Sequence, residues 1–321
     1  MACACGRYER DDIVSPTTRH AALALLVSIV TAPPVRAQDL VPGAFTPAPV
    51  SINVVTVAAT INSGDVTFDP ALPVEQGHAR LGWFIAGYNR TLSIAGRFAS
   101  VGVGLPIVLG HVQGLVLGQF AETSRKGQGD MVSRVAVNLY GAPAMTPREF
   151  AAYQPATVVG VSATVNLPLG QYDPVQYINI GAHRWSIKPE VGVSRTWGHW
   201  TVEGDLGATF FTDNDDFRAG TRSQAPIVST QGHLIYKFRP ALWIAGDGNY
   251  WTGGRVTTAG VEGTDYQRNS RLGVTVAVPV KRQQVRISYS VGAYTTIGGD
   301  FQSLGVSYSY AWIARRPAPS P

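Results

Sequence analysis

The chain has 321 residues, 45% of them apolar and 15% charged, which excludes an extended disordered protein and leaves room for one large domain or two. Its 26 Lys and Arg against 21 Asp and Glu give a formal charge of +5, but the basic residues are scattered singly, unlike the clustered stripe that nucleic acid requires. Both cysteines, Cys3 and Cys5, lie upstream of the first apolar run, so nothing after that run can support disulfide or thiol chemistry.

Arg19 precedes that run, Ala21 to Ala32 (AALALLVSIVTA), which ends in PPVRA. About 12 apolar residues are too few to span a bilayer as a helix, and the small Val35 and Ala37 suit cleavage before Gln38, so residues 1–37 read as a secretory signal peptide. Glu9, Asp11 and Asp12 are unusual in such a segment, and a start downstream of Met1 stays open. Residues 38–49 (QDLVPGAFTPAP) carry apolar residues and prolines without alternation. They form either a leader outside the next domain or a plug entering its lumen.

From residue 50 to 312 the pattern has a period of two, in segments of about ten residues broken by Gly, Asp, Asn and Pro clusters. Twelve such segments follow in order: 50–62, 79–92, 97–108, 131–140, 157–167, 184–197, 200–211, 227–238, 242–251, 270–280, 284–295 and 303–312. In the last, Leu304, Val306, Tyr308, Tyr310 and Trp312 alternate with Gly305, Ser307, Ser309 and Ala311. Residues 99–118 come nearest to a transmembrane helix, but five glycines, Pro106, His111 and Gln113 argue against one.

A soluble β-sandwich alternates too, but its polar face meets bulk water and is rich in Lys and Glu. Here that face is mostly Ser, Thr, Gly, Ala and Asn with isolated charges, which suits a barrel lumen while the apolar face meets lipid. The fold expected is therefore all-β: a transmembrane antiparallel up-and-down β-barrel of about 12 strands, an even number as in bacterial single-chain barrels.

The links agree. They are short after segments two (SIAG), six (Gly198-His199), eight (Arg239-Pro240-Ala241) and ten (KRQ), and long after one, three, five, seven and nine. The exception is 141–156, where Thr146 and Glu149 have capping-box spacing and predict a short periplasmic helix. The two-residue turn Gly198-His199 makes Trp197 and Trp200 cross-strand partners in an aromatic girdle, and Gly in first place favours type II′. Pro189 cannot donate to a ladder, so a bulge or local break is expected there.

Alternation turns Arg134, Lys188, Glu190, Glu203, Asp205, His233, Lys237, Asp247, Arg271 and Arg286 inward, and these ten are the candidate lumen-binding residues. Both signs are present, so they either set solute selectivity or pair with one another as an internal plug. The tight link at 239–241 sets Tyr236 opposite Ile244 and hence His233 opposite Asp247, two side chains that should touch. That contact reads as a structural hydrogen bond or a pH-sensitive gate; Ser229 with His233 is the one hydrolase-like alternative.

No Walker loop, GxSxG elbow or HExxH occurs, and the six histidines are dispersed, so neither an enzyme nor a cofactor or metal is indicated. In TFFTDNDDF (209–217), Phe210 ends a lipid face and Phe211 turns inward. The aspartates then begin an outer loop: an EF-hand would need an acid or amide where Phe217 stands, and a following Gly. Divalent-ion bridging at a lipopolysaccharide surface is the functional option left to them.

The stretches NLYGAPAMTPREFAAY, PLGQYDPVQYINIGAHRWSIKPEVGVS, FFTDNDDF, YWTGGR, RLGVTVAVPV and LGVSYSYAW, spread between Asp39 and Trp312, give the chain its resemblance to a family. It resembles the outer-membrane transporters associated with meta-pathway phenol degradation. The resemblance implies a bacterial outer-membrane barrel admitting small aromatic or other apolar solutes, without catalytic residues to carry over. The partners expected are outer-membrane lipids and lipopolysaccharide, the barrel-assembly machinery and a small-molecule solute. Ser303 to Tyr310 has the polar-x-Gly-x-x-aromatic-x-apolar form of an assembly signal, although the Pro-rich tail 313–321 follows it. A closed barrel serving surface interactions is the alternative function.

Overall fold

The computed structural model describes residues 41–66, 74–154, 156–176, 178–217, 220–281, 283–296 and 300–313. The signal peptide expected at 1–37 and nearly all of the tail expected at 313–321 lie outside them. Sixteen strands and one short helix are formed among the described residues.

The strands are β1 (Ile52–Val66), β2 (Val74–Ile94), β3 (Arg97–Val116), β4 (Gln119–Gln128), β5 (Met131–Tyr140), β6 (Thr157–Leu167), β7 (Ser186–Trp197) and β8 (Trp200–Phe211). They continue as β9 (Arg222–Gln224), β10 (Ile227–Arg239), β11 (Leu242–Gly253), β12 (Val256–Thr258), β13 (Val261–Glu262), β14 (Gln267–Val280), β15 (Gln283–Thr295) and β16 (Asp300–Ile313). Sequential neighbours pair antiparallel around the sheet, and β16 returns to β1 from Ile52↔Ile313 to Asp65↔Asp300, closing the barrel. Closure leaves no unpaired edge in the wall that crosses the bilayer, the condition for backbone in hydrocarbon, whereas β4, among the described residues, is paired on one side only, with β3. β9, β12 and β13 form a separate three-stranded sheet over the loop end.

The wall has twelve positions because β4 and β5 share one. The outer half of β3 pairs with β4 (Ile107↔Gln128 to Val116↔Gln119) and its inner half with β5 (Ala99↔Val137 to Gly104↔Val132). The joint falls at Pro106, which has no N–H for the ladder, and Gly129 N–H donates across it to the Pro106 carbonyl at 2.9 Å. Residues 109–130, expected as a long loop, are therefore a hairpin extending the wall. Its turn, Leu117-Gly118, takes φ of 52° and 76°, the paired positive values of a type I′ turn. Alternating hydropathy did not reveal β4 because QFAETSRKGQ needs no lipid face beyond the bilayer.

Within the bilayer the physics is stricter. Val191, Val193, Leu206, Leu234, Val274, Ile287 and Val306 on the outer face are each exposed, while Ser194, Thr201, Ser229, Thr275 and Ser309 on the inner face are buried. That inversion of a soluble protein's burial is the mark of a lipid-facing wall. Trp197 and Trp200 pair directly across the Gly198-His199 turn, where Gly198 has φ 54°. The break at Pro189 is one-sided. It pairs with Ala163 of β6, but the β7–β8 ladder skips from Ile187↔Phe210 to Glu190↔Gly207 without changing register, so there is a gap and no bulge.

The link after β5 folds across the turn end of the barrel and carries α1 (Pro147–Ala152). Thr146 Oγ1 accepts from Glu149 N at 3.3 Å and Glu149 Oε2 accepts from Thr146 N at 2.7 Å, a complete capping box. Those hydrogen bonds, backbone first and side chain second, hold the Glu149 carboxyl below its ordinary range. Phe150 and Met145 pack with Phe98, Ala142, Val158 and Ala48 into a small apolar core. Val50 N–H then donates to the Met145 carbonyl at 2.8 Å, fixing where the chain leaves the lumen for β1.

Candidate functional site: a charged lumen with a docked N-terminal segment

Strand register sets the lumen residues in rungs. One rung runs Ser194↔Glu203↔His233↔Asp247 across β7, β8, β10 and β11, and the next runs Gly192↔Asp205↔Gln231↔Asn249↔Arg271, ending on β14. Each of these side chains is at an inward position because strand side chains alternate with period two.

His233 and Asp247 meet as the register requires. Nδ1 lies 2.7 Å from Asp247 Oδ1, with both side chains buried, and the second oxygen, Oδ2, accepts from Thr275 Oγ1 at 2.6 Å. With Nδ1 committed to the carboxylate, the other ring nitrogen, Nε2, is buried without a partner among the described residues, as are Gln231 Oε1 and Asn249 Oδ1. Ser229 lies two inward positions from His233 on the same strand, roughly 13 Å along it, so the histidine cannot activate that hydroxyl.

A second cluster lies on β5 to β8. Lys188 Nζ is 2.7 Å from Glu190 Oε1, and Ser162 Oγ donates to Glu190 Oε2 at 3.2 Å. The pair needs Gly207 opposite it: a Cβ there would stand 2.7 Å from Glu190 Cγ and 3.1 Å from Lys188 Cε. Arg134 and Asp205 interact electrostatically with Glu190. Lys237 and Arg286 likewise feel Glu203, and Arg286 also lies over the Trp243 ring at 5.2 Å. Arg271 stands apart, donating to Ser290 Oγ at 3.0 Å and to the Phe301 carbonyl at 2.9 Å. Nine of the ten sequence-derived candidates thus gather into the two clusters, and Arg271 ends the rung that begins at Gly192 and passes through Asp205.

Residues 41–49 run inside this lumen. Gly43 N–H donates to Glu203 Oε2 at 2.6 Å, and Asn138 Nδ2 donates to the Phe45 carbonyl at 2.8 Å. Phe45 is 6% exposed. Its ring fills a notch between Gly160 and Gly192, cross-strand partners in β6 and β7. A Cβ on Gly160 would fall 2.4 Å, and one on Gly192 2.2 Å, from ring carbons of Phe45. The Arg134 guanidinium covers the ring at 5.3 Å from its centroid. Inward-facing glycine at 160 and 192 was the available sequence signal, since glycine in a strand marks close approach of another group.

The family model described as "Putative MetA-pathway of phenol degradation" matches residues 58–310. Among solved structures, the COG4313 outer membrane channel from Pseudomonas putida F1 superposes with a TM-score of 0.71 at 17% identity, over 85% of this chain and 100% of that one, and so shares the fold. The translocator domain of the autotransporter NalP from Neisseria meningitidis overlaps more loosely, with a TM-score of 0.46 at 11% identity over 81% of this chain and 88% of that one. No curated protein matches.

Proposed function

The chain belongs to the phenol-degradation family whose model it matches over residues 58–310, and on that premise we propose that it is an outer-membrane channel for passive entry of small, apolar or aromatic molecules. The observation carrying this reading is how residues 41–49 are held: a ring in a glycine notch and a few isolated hydrogen bonds, from Gly43 and Thr46 to Glu203, from Asn138 to the Phe45 carbonyl and from Arg134 to the Ala44 carbonyl. Burying one Phe contributes about 1.5–3 kcal/mol and each net hydrogen bond about 1 kcal/mol. Such a hold keeps the segment docked yet lets it leave on thermal timescales, as a removable restriction should.

The family's phenol connection supports the solute class, and the lumen, where charges of both signs pair with one another, sets no single-sign ion filter. Residues 1–37 would direct export, Ser303 to Tyr310 would present the last strand to the assembly machinery, and the sheet of β9, β12 and β13 would face lipopolysaccharide. The lumen residues Arg134, Lys188, Glu190, Glu203, Asp205, His233, Lys237, Asp247, Arg271 and Arg286 would sieve solutes by polarity.

Planar-bilayer recording tests the reading. Wild-type protein should show small reproducible steps, and deletion of residues 41–47 should enlarge them several-fold. A folded barrel that stays silent in both forms overturns the channel and leaves a closed surface barrel.

A further inference from the structure

On the outward surface of β1 to β4 the change from apolar to charged side chains falls on one registered line. The row Ile61↔Gly82↔Leu109↔Lys126 is followed, one outward-facing position farther from the turn end, by Ser63↔Arg80↔His111↔Ser124. Ile61 and Leu109, and the cross-strand partners Phe84 and Ile107 below them, are exposed apolar side chains, so the hydrocarbon ends at the first of these rows. Two residues of strand span about 7 Å, which sets the second row at the height of the lipid headgroups.

Arg80 on β2 and Lys126 on β4 flank β3 at this boundary and are exposed. Among the described residues neither makes a hydrogen bond or ion pair. The acids stand one row farther out and face histidines: Asp65 Oδ1 is 3.1 Å from His78 Nδ1, and Glu122 Oε2 is 3.8 Å from His111 Nε2. His111 Nδ1 and Ser124 Oγ meet at 3.0 Å in the row between, which places a hydroxyl beside the two cations. Long cationic side chains at such a line lay their stems on apolar surface and keep their heads in the polar layer. A guanidinium offers phosphate a fork of N–H groups and an ammonium offers it a compact charge. A free phosphate would meet only these solvated heads, whereas a phosphate carried on acyl chains also lays those chains over Ile61, Leu109 and Phe84.

We propose that Arg80 and Lys126, with Ser124 beside them, bind a phosphate of an outer-leaflet glycolipid, the lipid A part of lipopolysaccharide, whose acyl chains cover the apolar rows beneath. The assignment rests on the outer-membrane part of the functional reading and not on conduction.

Native mass spectrometry of the full barrel in detergent with EDTA, titrated with bisphosphorylated lipid A and with its dephosphorylated form, tests it. The phosphorylated lipid should bind roughly thirtyfold more tightly, the sum of two basic side chains at an anionic surface. Arg80→Gln combined with Lys126→Gln should bring the two lipids to equal affinity. Arg90→Gln, on the outward face of β2 but at its turn end, should leave the preference intact, and inorganic phosphate at millimolar concentration should not displace the lipid. Heat-modified gel mobility confirms that each variant is folded. Equal binding of both lipids to wild type, a preference that survives the double substitution or is lost equally in Arg90→Gln, or displacement by inorganic phosphate overturns the site. Planar-bilayer conductance, measured separately, reports on the channel: a silent barrel that prefers the phosphorylated lipid removes the channel while the site stands, and a conducting barrel without that preference removes the site alone.

Discussion

His233 Nδ1 and Asp247 Oδ1 lie 2.7 Å apart on facing strands, and Thr275 occupies the other carboxylate oxygen at 2.6 Å. Three strands, β10, β11 and β14, are thereby joined through one buried carboxylate. Asp247→Ala strands both the imidazole and the hydroxyl, so unfolding in lipid vesicles should show a loss of about 2–5 kcal/mol. Thr275→Val removes only one donor and should cost about 1 kcal/mol. A double-mutant cycle with His233→Ala should show strong coupling to Asp247, since the two share one interaction; additive losses would contradict it.

That contact was legible in the sequence because the link at 239–241 is short enough to count across. The actual turn, Pro240-Ala241, compresses a bulge between Lys237 and Arg239, yet the pairing of His233 with Asp247 survives it. The wall was legible for a related reason: lipid demands an apolar outer face, so alternation announces each strand inside the bilayer. β4 escaped notice because that demand ends where the bilayer ends. The seating of Phe45 escaped because its signal is what Gly160 and Gly192 lack, and a missing side chain does not say which distant residue fills the space.

Gly207 makes a similar demand on the Lys188–Glu190 pair. A valine there would place its Cβ 3.0 Å from the Pro189 carbonyl as well as against both charged side chains, and the chain at Pro189 already lacks ladder bonds to β8. Gly207→Val should push the pair into the lumen, lower stability by about 1–3 kcal/mol, and change cation-to-anion selectivity in reversal-potential measurements. Gly246→Val is the control, since a Cβ there meets nothing within 4 Å, and it should leave selectivity unchanged.

The helix beneath the barrel should respond to pH through Glu149. Its carboxyl is held below the ordinary 4.5 by bonds to Thr146, so the stabilisation is present above the unfolded-state pKa and lost as pH falls through the lower folded value. Native-state hydrogen exchange, corrected for intrinsic rates, should show Phe150 and Tyr153 amides protected at pH 7 and less so near pH 3. Glu149→Gln should remove most of that pH dependence, because an amide does not titrate, whereas Thr146→Ala deletes only the hydroxyl and keeps the bond from its backbone N–H to Glu149 Oε2; unchanged protection of the wild type across the range would contradict the cap's role.

Phe45 and its notch give the sharpest test of how the lumen is restricted. Gly160→Val puts methyl groups where the ring now sits, so the ring must leave while the β6–β7 ladder, Val159↔Val193 and Val161↔Val191, remains intact. Conductance should rise several-fold, and residues 41–49 should become open to protease without loss of barrel folding. Phe45→Gly should have the same effect on conductance, because it empties the notch between Gly160 and Gly192 and takes the ring from under Arg134, leaving the segment to its hydrogen bonds. Combining the two substitutions should add little, since both release one contact. Fully additive increases would mean that Phe45 and Gly160 restrict the lumen separately, and the docked ring would not be the restriction.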